Sequence, residues 1–218
     1  MKIVILLYDG FTALDAIGPY EVLSRLPGAE LTFAAARAGV VTSDTGFLNV
    51  TATAAIDDVG DADIVLVPGG PGDDAVKAHA PTLEWLRLMH AKTTWTTSVC
   101  TGSLILGAAG LLRGVRATTH WAFFDELRGY GAEPVKARAV ESGKIVTAAG
   151  VSAGIDMALR LAQRIVGDDF ARAIQLGIEY DPDPPFDAGA PEKLPPEMVE
   201  MVRTFGRAAR ARRAGRAA

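Results

Sequence analysis

Cysteine is nearly absent from this 218-residue chain: Cys100 is the only one. A single thiol excludes an intramolecular disulfide framework and a cysteine-rich zinc site, and it fits a reducing compartment. Histidine is scarce as well. His79, His90 and His120 have no metal-ligand spacing, and one cysteine does not complete a site, so no metal is expected. No stretch approaches 18 apolar residues without charge, so a membrane-spanning helix is not expected. The apolar run at residues 3–7 has no basic leader and is too short for a secretory signal, so the chain reads as cytoplasmic. The glycine cluster at residues 69–72 is followed by no Gly-Lys-Ser/Thr and is no Gly-x-Gly-x-x-Gly, which removes the phosphate loop and the dinucleotide fingerprint.

What is present is an ordinary globular composition, with 49% hydrophobic and 22% charged residues. That length and balance allow one sizeable core and argue against disorder or collagen. The formal net charge of −4 is unevenly placed. Six arginines and no acid follow from Arg203 onward, leaving 16 bases against 26 acids in residues 1–202. An acidic body does not attract nucleic acid, and the arginine-rich end reads as a solvated helix end.

Residues 2–8 form a continuous apolar run, the pattern of a strand covered on both faces. A helix is expected over 15–26, with Pro19 near its start and Pro27-Gly28 as its stop. Strands follow at 30–36, 63–67 and 93–99, and a hairpin at 42–52 turns on Asp44-Thr45-Gly46. Helices are expected at 81–92, 102–112 and 122–129, with a short strand at 116–119. A second hairpin spans 136–148, turning on Glu141-Ser142-Gly143. Helices then cover 152–166 and 170–179, the latter capped by Asp168-Asp169. Residues 180–196 hold six prolines and read as an extended arm over the body or a partner subunit, and 197–218 as a terminal helix. Alternating strands and helices imply a mainly parallel sheet covered on both faces, in a single domain over 1–218.

In such sheets, sites gather at the C-terminal ends of strands. Three ends carry chemistry-bearing residues: 9–15, 68–72 and 97–103. Cys100 lies between a strand and a helix rich in Ala, Gly and Leu, the setting of a nucleophile elbow. A helix N-terminus beside the sulfur is expected to favour thiolate and lower its pKa. The alternative is a buried small hydrophobe. Gly69 and Gly70 let backbone N–H groups approach a ligand, or else form a plain tight turn. Asp15 is either an N-cap or an acid facing the sulfur. His120, before Trp121, is at least as readily a helix cap as a chemical group.

Taken together, these strand ends resemble the DJ-1/PfpI superfamily, whose members carry an acid after strand one, a Pro-Gly-Gly turn and an elbow cysteine. The matching residues are Asp15, Pro68-Gly69-Gly70 and Cys100. Within the superfamily the chain is similar to the isocyanide hydratases. The matching stretches include Leu14-Asp15, Gly18-Pro19, the 97–104 elbow, Thr118-Thr119-His120-Trp121, Glu179-Tyr180 and Pro184-Pro185-Phe186. Protease-like and many glyoxalase-like members place histidine directly after the cysteine; here that residue is Thr101.

The resemblance implies a flavodoxin-like three-layer α/β sandwich, a homodimer, and hydration of an isocyanide to an N-substituted formamide without cofactor. Cys100 would attack the isocyanide carbon to give a thioimidate. Asp15 would supply the proton and orient water, Thr101 would offer a hydroxyl and an N–H, and Gly69 and Gly70 would stabilise developing charge. Two alternatives use the same cysteine: a glyoxalase or deglycase acting on 2-oxoaldehydes, and a redox sensor that is no enzyme.

Overall fold

The computed structural model describes the backbone of residues 1–217 and the side chains through residue 213; Arg216 of the arginine-rich tail lies outside them. In chain order the elements are β1 (Lys2–Leu6), α1 (Ala13–Leu23), β2 (Glu30–Ala35), β3 (Gly39–Thr42), β4 (Asn49–Ala52), β5 (Ala54–Ala55), β6 (Ile64–Val67), α2 (Asp73–Lys77), α3 (Ala80–Lys92) and β7 (Trp95–Val99). There follow α4 (Gly102–Ala108), β8 (Arg116–Ala117), α5 (Phe124–Gly129), β9 (Glu133–Pro134), β10 (Ala139–Ser142), β11 (Ile145–Ala148), α6 (Ala153–Val166), α7 (Asp168–Gly177) and α8 (Pro196–Ala217).

Seven strands form one sheet in the order β10-β11-β7-β6-β1-β2-β5. Every pairing is parallel except β10 with β11. The continuous apolar runs of β1 and β6 follow from cover on both faces. Ile3, Ile5, Ile64 and Leu66 pack with Ala16 and Val22 of α1 and with Met157 and Leu161 of α6. Val4, Leu6, Val65 and Val67 point the other way, to Leu83 and Leu86 of α3 and Leu104 and Ile105 of α4. This is a flavodoxin-like three-layer α/β sandwich. Among the described residues no helix is long and apolar enough to cross a membrane.

Several boundaries differ from the sequence reading. α1 begins at Ala13, so Pro19 is its seventh residue and lies inside the helix rather than in its first turn. Lacking an N–H, Pro19 leaves the Asp15 carbonyl without its intrahelical bond. Asp168 and Asp169 sit in the first turn of α7, and Gly167, at φ 82°, holds the cap position. β8 is shorter than expected and pairs with β9 outside the main sheet. Residues 180–196 carry only a 3-10 turn at Pro191–Lys193. The arginine-rich end of α8 is docked rather than solvated: Arg210 pairs with Asp73 and Glu126, and Arg213 donates to the Ser43 carbonyl at 2.8 Å.

β11, β7, β6 and β1 are neighbours running in the same direction. Their C-terminal ends therefore bring residues 9–12, 68–72, 100–102 and 149–152 to one edge of the sheet.

Candidate active site

Cys100 is the single residue that joins the end of β7 to the turn opening α4, and its φ is +56°. A non-glycine residue in this region is strained and persists only where its surroundings hold it. Four hydrogen bonds do so. Its N–H donates to the carbonyls of Ala148 (3.1 Å) and Ala149 (2.9 Å), and its carbonyl accepts the hydroxyls of Ser103 (3.2 Å) and Thr119 (3.0 Å). Two residues on, a Cβ on Gly102 would lie 2.0 Å from the Val67 carbonyl oxygen, so only glycine lets α4 start this close to β6. The strained strand–helix junction is an elbow that lifts the side chain above the sheet.

Asp15 projects from the first turn of α1 and is fully buried. It caps nothing; the cap position belongs to Thr12. Its Oδ2 accepts the Gly69 N–H at 2.9 Å, while Oδ1 forms no hydrogen bond of full geometry. Burial raises the carboxyl pKa from 3.8 to about 7, although the Gly69 N–H and the adjacent Cys100 thiol pull it down. The thiol behaves in a parallel way. Burial pushes it well above its usual value, the Asp15 charge adds to that, and N–H groups of Thr101 and Val151 offset part of the rise. The expected lowering of the Cys100 pKa is therefore corrected. Cys100 is only 6% exposed, and two nearby N–H donors do not replace the water that burial removes. Asp15 and Cys100 form one acid pair, and the proton they share belongs to the pair.

The sequence reading gives Gly69 and Gly70 the stabilisation of developing charge, but neither has a free donor for it. The Gly69 N–H is engaged by Asp15, and the Gly70 N–H donates to Thr101 Oγ1 at 3.0 Å. They are glycines because chain meets chain. A Cβ on Gly69 would lie 2.5 Å from the Thr101 nitrogen, and one on Gly70, at φ 139°, 2.3 Å from the Gly10 carbonyl oxygen. The turn thus aims Asp15 and fixes Thr101, whose hydroxyl is occupied and whose N–H faces the sulfur.

His120 accepts the Ala122 N–H on Nδ1 at 3.3 Å and caps a 3-10 turn at Trp121–Phe123. Burial, aided by the Arg210 charge, lowers its pKa to about 4, so the ring is neutral near pH 7. Val151 was not singled out by its sequence. It stands at φ +30°, with its N–H near enough to the thiol to pull the thiol pKa down. It sits within Gly150-Val151-Ser152-Ala153-Gly154, which has Gly-x-Ser-x-Gly spacing, yet Ser152 has an ordinary φ of −65° and its hydroxyl is held by Arg138 Nη2 at 3.1 Å. Tyr8 is a second residue the sequence reading passed over: its hydroxyl donates to the Pro68 carbonyl at 2.8 Å and ties β1 to the glycine turn.

Cys100 opens on a cavity of about 400 Å³ bounded by Thr12, Asp44, Gly70, His120, Phe123 and Val151, with α8 on its outer side. Among the described residues no group of three or more His, Cys, Asp or Glu side chains is placed to hold a metal.

Comparison with known proteins matches residues 1–164 to the DJ-1/PfpI family. The chain belongs to the DJ-1/PfpI family. It is 45% identical to an isonitrile hydratase of Pseudomonas putida over 203 residues, which is 93% of this chain and 89% of that one. A deglycase of Pyrococcus abyssi is 30% identical over 149 residues, 67% of this chain and 89% of its own. Among solved structures, a ThiJ/PfpI family protein from Pseudomonas syringae superposes with a TM-score of 0.90 at 40% identity, covering 96% of this chain and 89% of that one.

Proposed function

We propose that this DJ-1/PfpI protein is an isocyanide hydratase that adds water to an isocyanide (isonitrile) and releases an N-substituted formamide. The observation that carries the reading is the Cys100–Asp15 pair, buried together at one proton's reach with a neutral His120 as the neighbouring imidazole. Hydration of an isocyanide needs a soft nucleophile and a proton delivered to the same carbon, and such a pair supplies both. The 45% identity to an isonitrile hydratase supports the same reading.

The sequence of steps balances without an external oxidant or reductant. As the sulfur of Cys100 bonds to the terminal carbon, its proton passes to Asp15, and Asp15 returns it to that carbon. The product of this first stage is a thioimidate, Cys100–S–CH=N–R. Asp15, again a carboxylate, takes a proton from water as the oxygen adds to carbon and hands it to the nitrogen. The carbon–sulfur bond then breaks as the hydroxyl proton of the tetrahedral intermediate passes through Asp15 to sulfur, releasing the formamide and restoring the thiol. The carboxyl pKa of about 7 suits this exchange, because a proton shuttle works best when its pKa lies near the operating pH. Thr101 and Val151 N–H groups stabilise the sulfur as it carries charge.

The test is incubation with cyclohexyl isocyanide and, separately, methylglyoxal, with products followed by proton NMR and the protein by intact mass spectrometry. Formamide and a transient adduct of the isocyanide mass on Cys100 are expected. Turnover of methylglyoxal alone would replace this reading with the deglycase-like one, and oxidation of Cys100 without turnover of either would favour a redox sensor. We also propose a homodimer, because Phe186 in the proline-rich arm is 77% exposed and calls for cover. Light scattering is expected to give about twice the 22.9 kDa chain mass, and a chain-mass species at micromolar concentration would refute it.

A further inference from the structure

α8 is not an appendage. Its inner face is pinned to the body on either side of the Cys100 cavity. On one side Arg210 pairs with the buried Asp73 and with Glu126 (2.9 Å), and its guanidinium lies 4.2 Å from the centre of the Phe123 ring. Lys77 joins the same cluster through Asp74 at 2.8 Å and through Glu126. On the other side Arg213 donates to the Ser43 carbonyl, and its guanidinium lies over Gly10, where a Cβ would meet it at 2.5 Å. One turn before these anchors along the helix, Gly206 and Ala209, three residues apart and so on one face, line the cavity that contains Cys100.

Gly206 is the informative residue. Glycine inside a long helix is unfavourable, so its presence asks for a reason. Close packing is not the reason: a Cβ built at Gly206 meets nothing within 4 Å. Gly206 is exposed and lines the cavity, so a large side chain there reaches over its opening. The cavity, at about 400 Å³, is within the range of small-molecule sites and much larger than an isocyano group requires. Its side walls of Phe123, Pro71 and Val151 are apolar.

We infer that α8 is the outer wall of the reaction cavity, and that Gly206 and Ala209 set the size of the N-substituent it admits, favouring isocyanides with a bulky apolar group. The inference deepens the isocyanide hydratase reading and rests on it for the substrate class, while the wall itself is testable on the thiol alone.

The experiment compares wild type with Gly206→Leu and Ala209→Leu, all assayed as the full chain. Two readouts are taken: kcat/KM for methyl and cyclohexyl isocyanide, and the rates at which iodoacetamide and N-cyclohexylmaleimide alkylate Cys100. Each leucine is expected to lower the cyclohexyl-to-methyl ratio of kcat/KM about tenfold or more, since steric fit in an apolar pocket discriminates on that scale. The maleimide-to-iodoacetamide ratio should fall in parallel. Arg210→Ala, which frees α8, should raise the maleimide ratio. If isocyanides are turned over but neither ratio changes in either leucine variant, the wall inference is wrong and the reaction stands. If no isocyanide is turned over while the alkylation ratios shift, the reaction is wrong and the wall stands. Circular dichroism identifies a variant that has lost its fold, and the other leucine then decides.

Discussion

Replacing Asp15 with asparagine should make the protein more stable above neutral pH and slower at turnover. The carboxyl is fully buried, and its pKa is raised from 3.8 to about 7. A folded-state pKa above the unfolded one means that the native protein holds a proton the unfolded chain releases. The associated stability is present in full below about pH 4 and lost as pH rises through about 7. At 1.36 kcal/mol per unit, the roughly 3-unit difference amounts to about 4 kcal/mol by pH 8. Asparagine keeps an oxygen for the Gly69 N–H and carries no charge, so it avoids that loss. Any constant offset from the amide's other half cancels when the stability difference between variant and wild type is followed with pH. The buried Asp73, raised to about 6, also destabilises the native state as pH rises, but it is present in both proteins and cancels too. Urea denaturation at pH 4, 6 and 8 should show the asparagine variant gaining on wild type by about 4 kcal/mol across the range, or roughly 8–16 °C in melting temperature for a chain of this size. Parallel stability curves would refute the argument, because they would mean that Asp15 carries no strained charge. A fully active asparagine variant would refute its role as proton carrier.

The same substitution removes the charge that helps hold the thiol protonated, so iodoacetamide should alkylate Cys100 faster at pH 7 in Asp15→Asn than in wild type; a slower rate would reverse the electrostatic assignment. Cys100→Ala should fold normally and show no turnover. Cys100→Ser should also be nearly inactive, because a serine hydroxyl is far less acidic than a thiol and Asp15 is a weak base for it; hydration by either above the uncatalysed rate ends the covalent mechanism. Gly69→Ala forces a Cβ to within 2.5 Å of the Thr101 nitrogen, and the backbone shift needed should cost about 1–3 kcal/mol of stability in urea melts and slow turnover by moving Asp15. A Gly69→Ala protein as stable and active as wild type would show that the glycine turn does not aim the carboxyl.

The layers of the fold are legible in the chain because both faces of the sheet are covered. Unbroken apolar runs such as residues 3–7 and 64–67 are what parallel strands in that position require. α2 escapes the same logic. It is five residues long, too short to show periodicity, and follows Gly70-Pro71-Gly72, which reads as a turn. Pro19 misleads for a different reason. Its cost inside α1 is carried by packing, since Gly18 and Ile155 bring α1 and α6 into close contact there. Local preference gives way to tertiary burial at that crossing.

The site is legible in its residue types and not in its energetics. A cysteine between a strand and a helix is visible in a sequence, and so is an acid after the first strand. Their pKa values are not, because these depend on how much water the rest of the chain removes. α8 contributes to that exclusion from more than a hundred residues beyond Cys100, by lining the cavity with Gly206, Ala209 and Arg210. Its docking is also hidden from local reading. Arg210 and its partner Asp73 lie 137 positions apart, so the arginines look unopposed in the sequence. Yet the balance of the chain contains a hint: a body with 26 acids and 16 bases has carboxylates to offer, and Arg210 of the terminal helix meets two of them. The pairing they reach is not surface decoration. Asp73 is fully buried, so an unpaired charge there would be costly, and Arg210 supplies the partner only when α8 lies across the cavity. The charge asymmetry of the sequence thus places beside the Cys100 cavity a helix that local reading would leave in solvent.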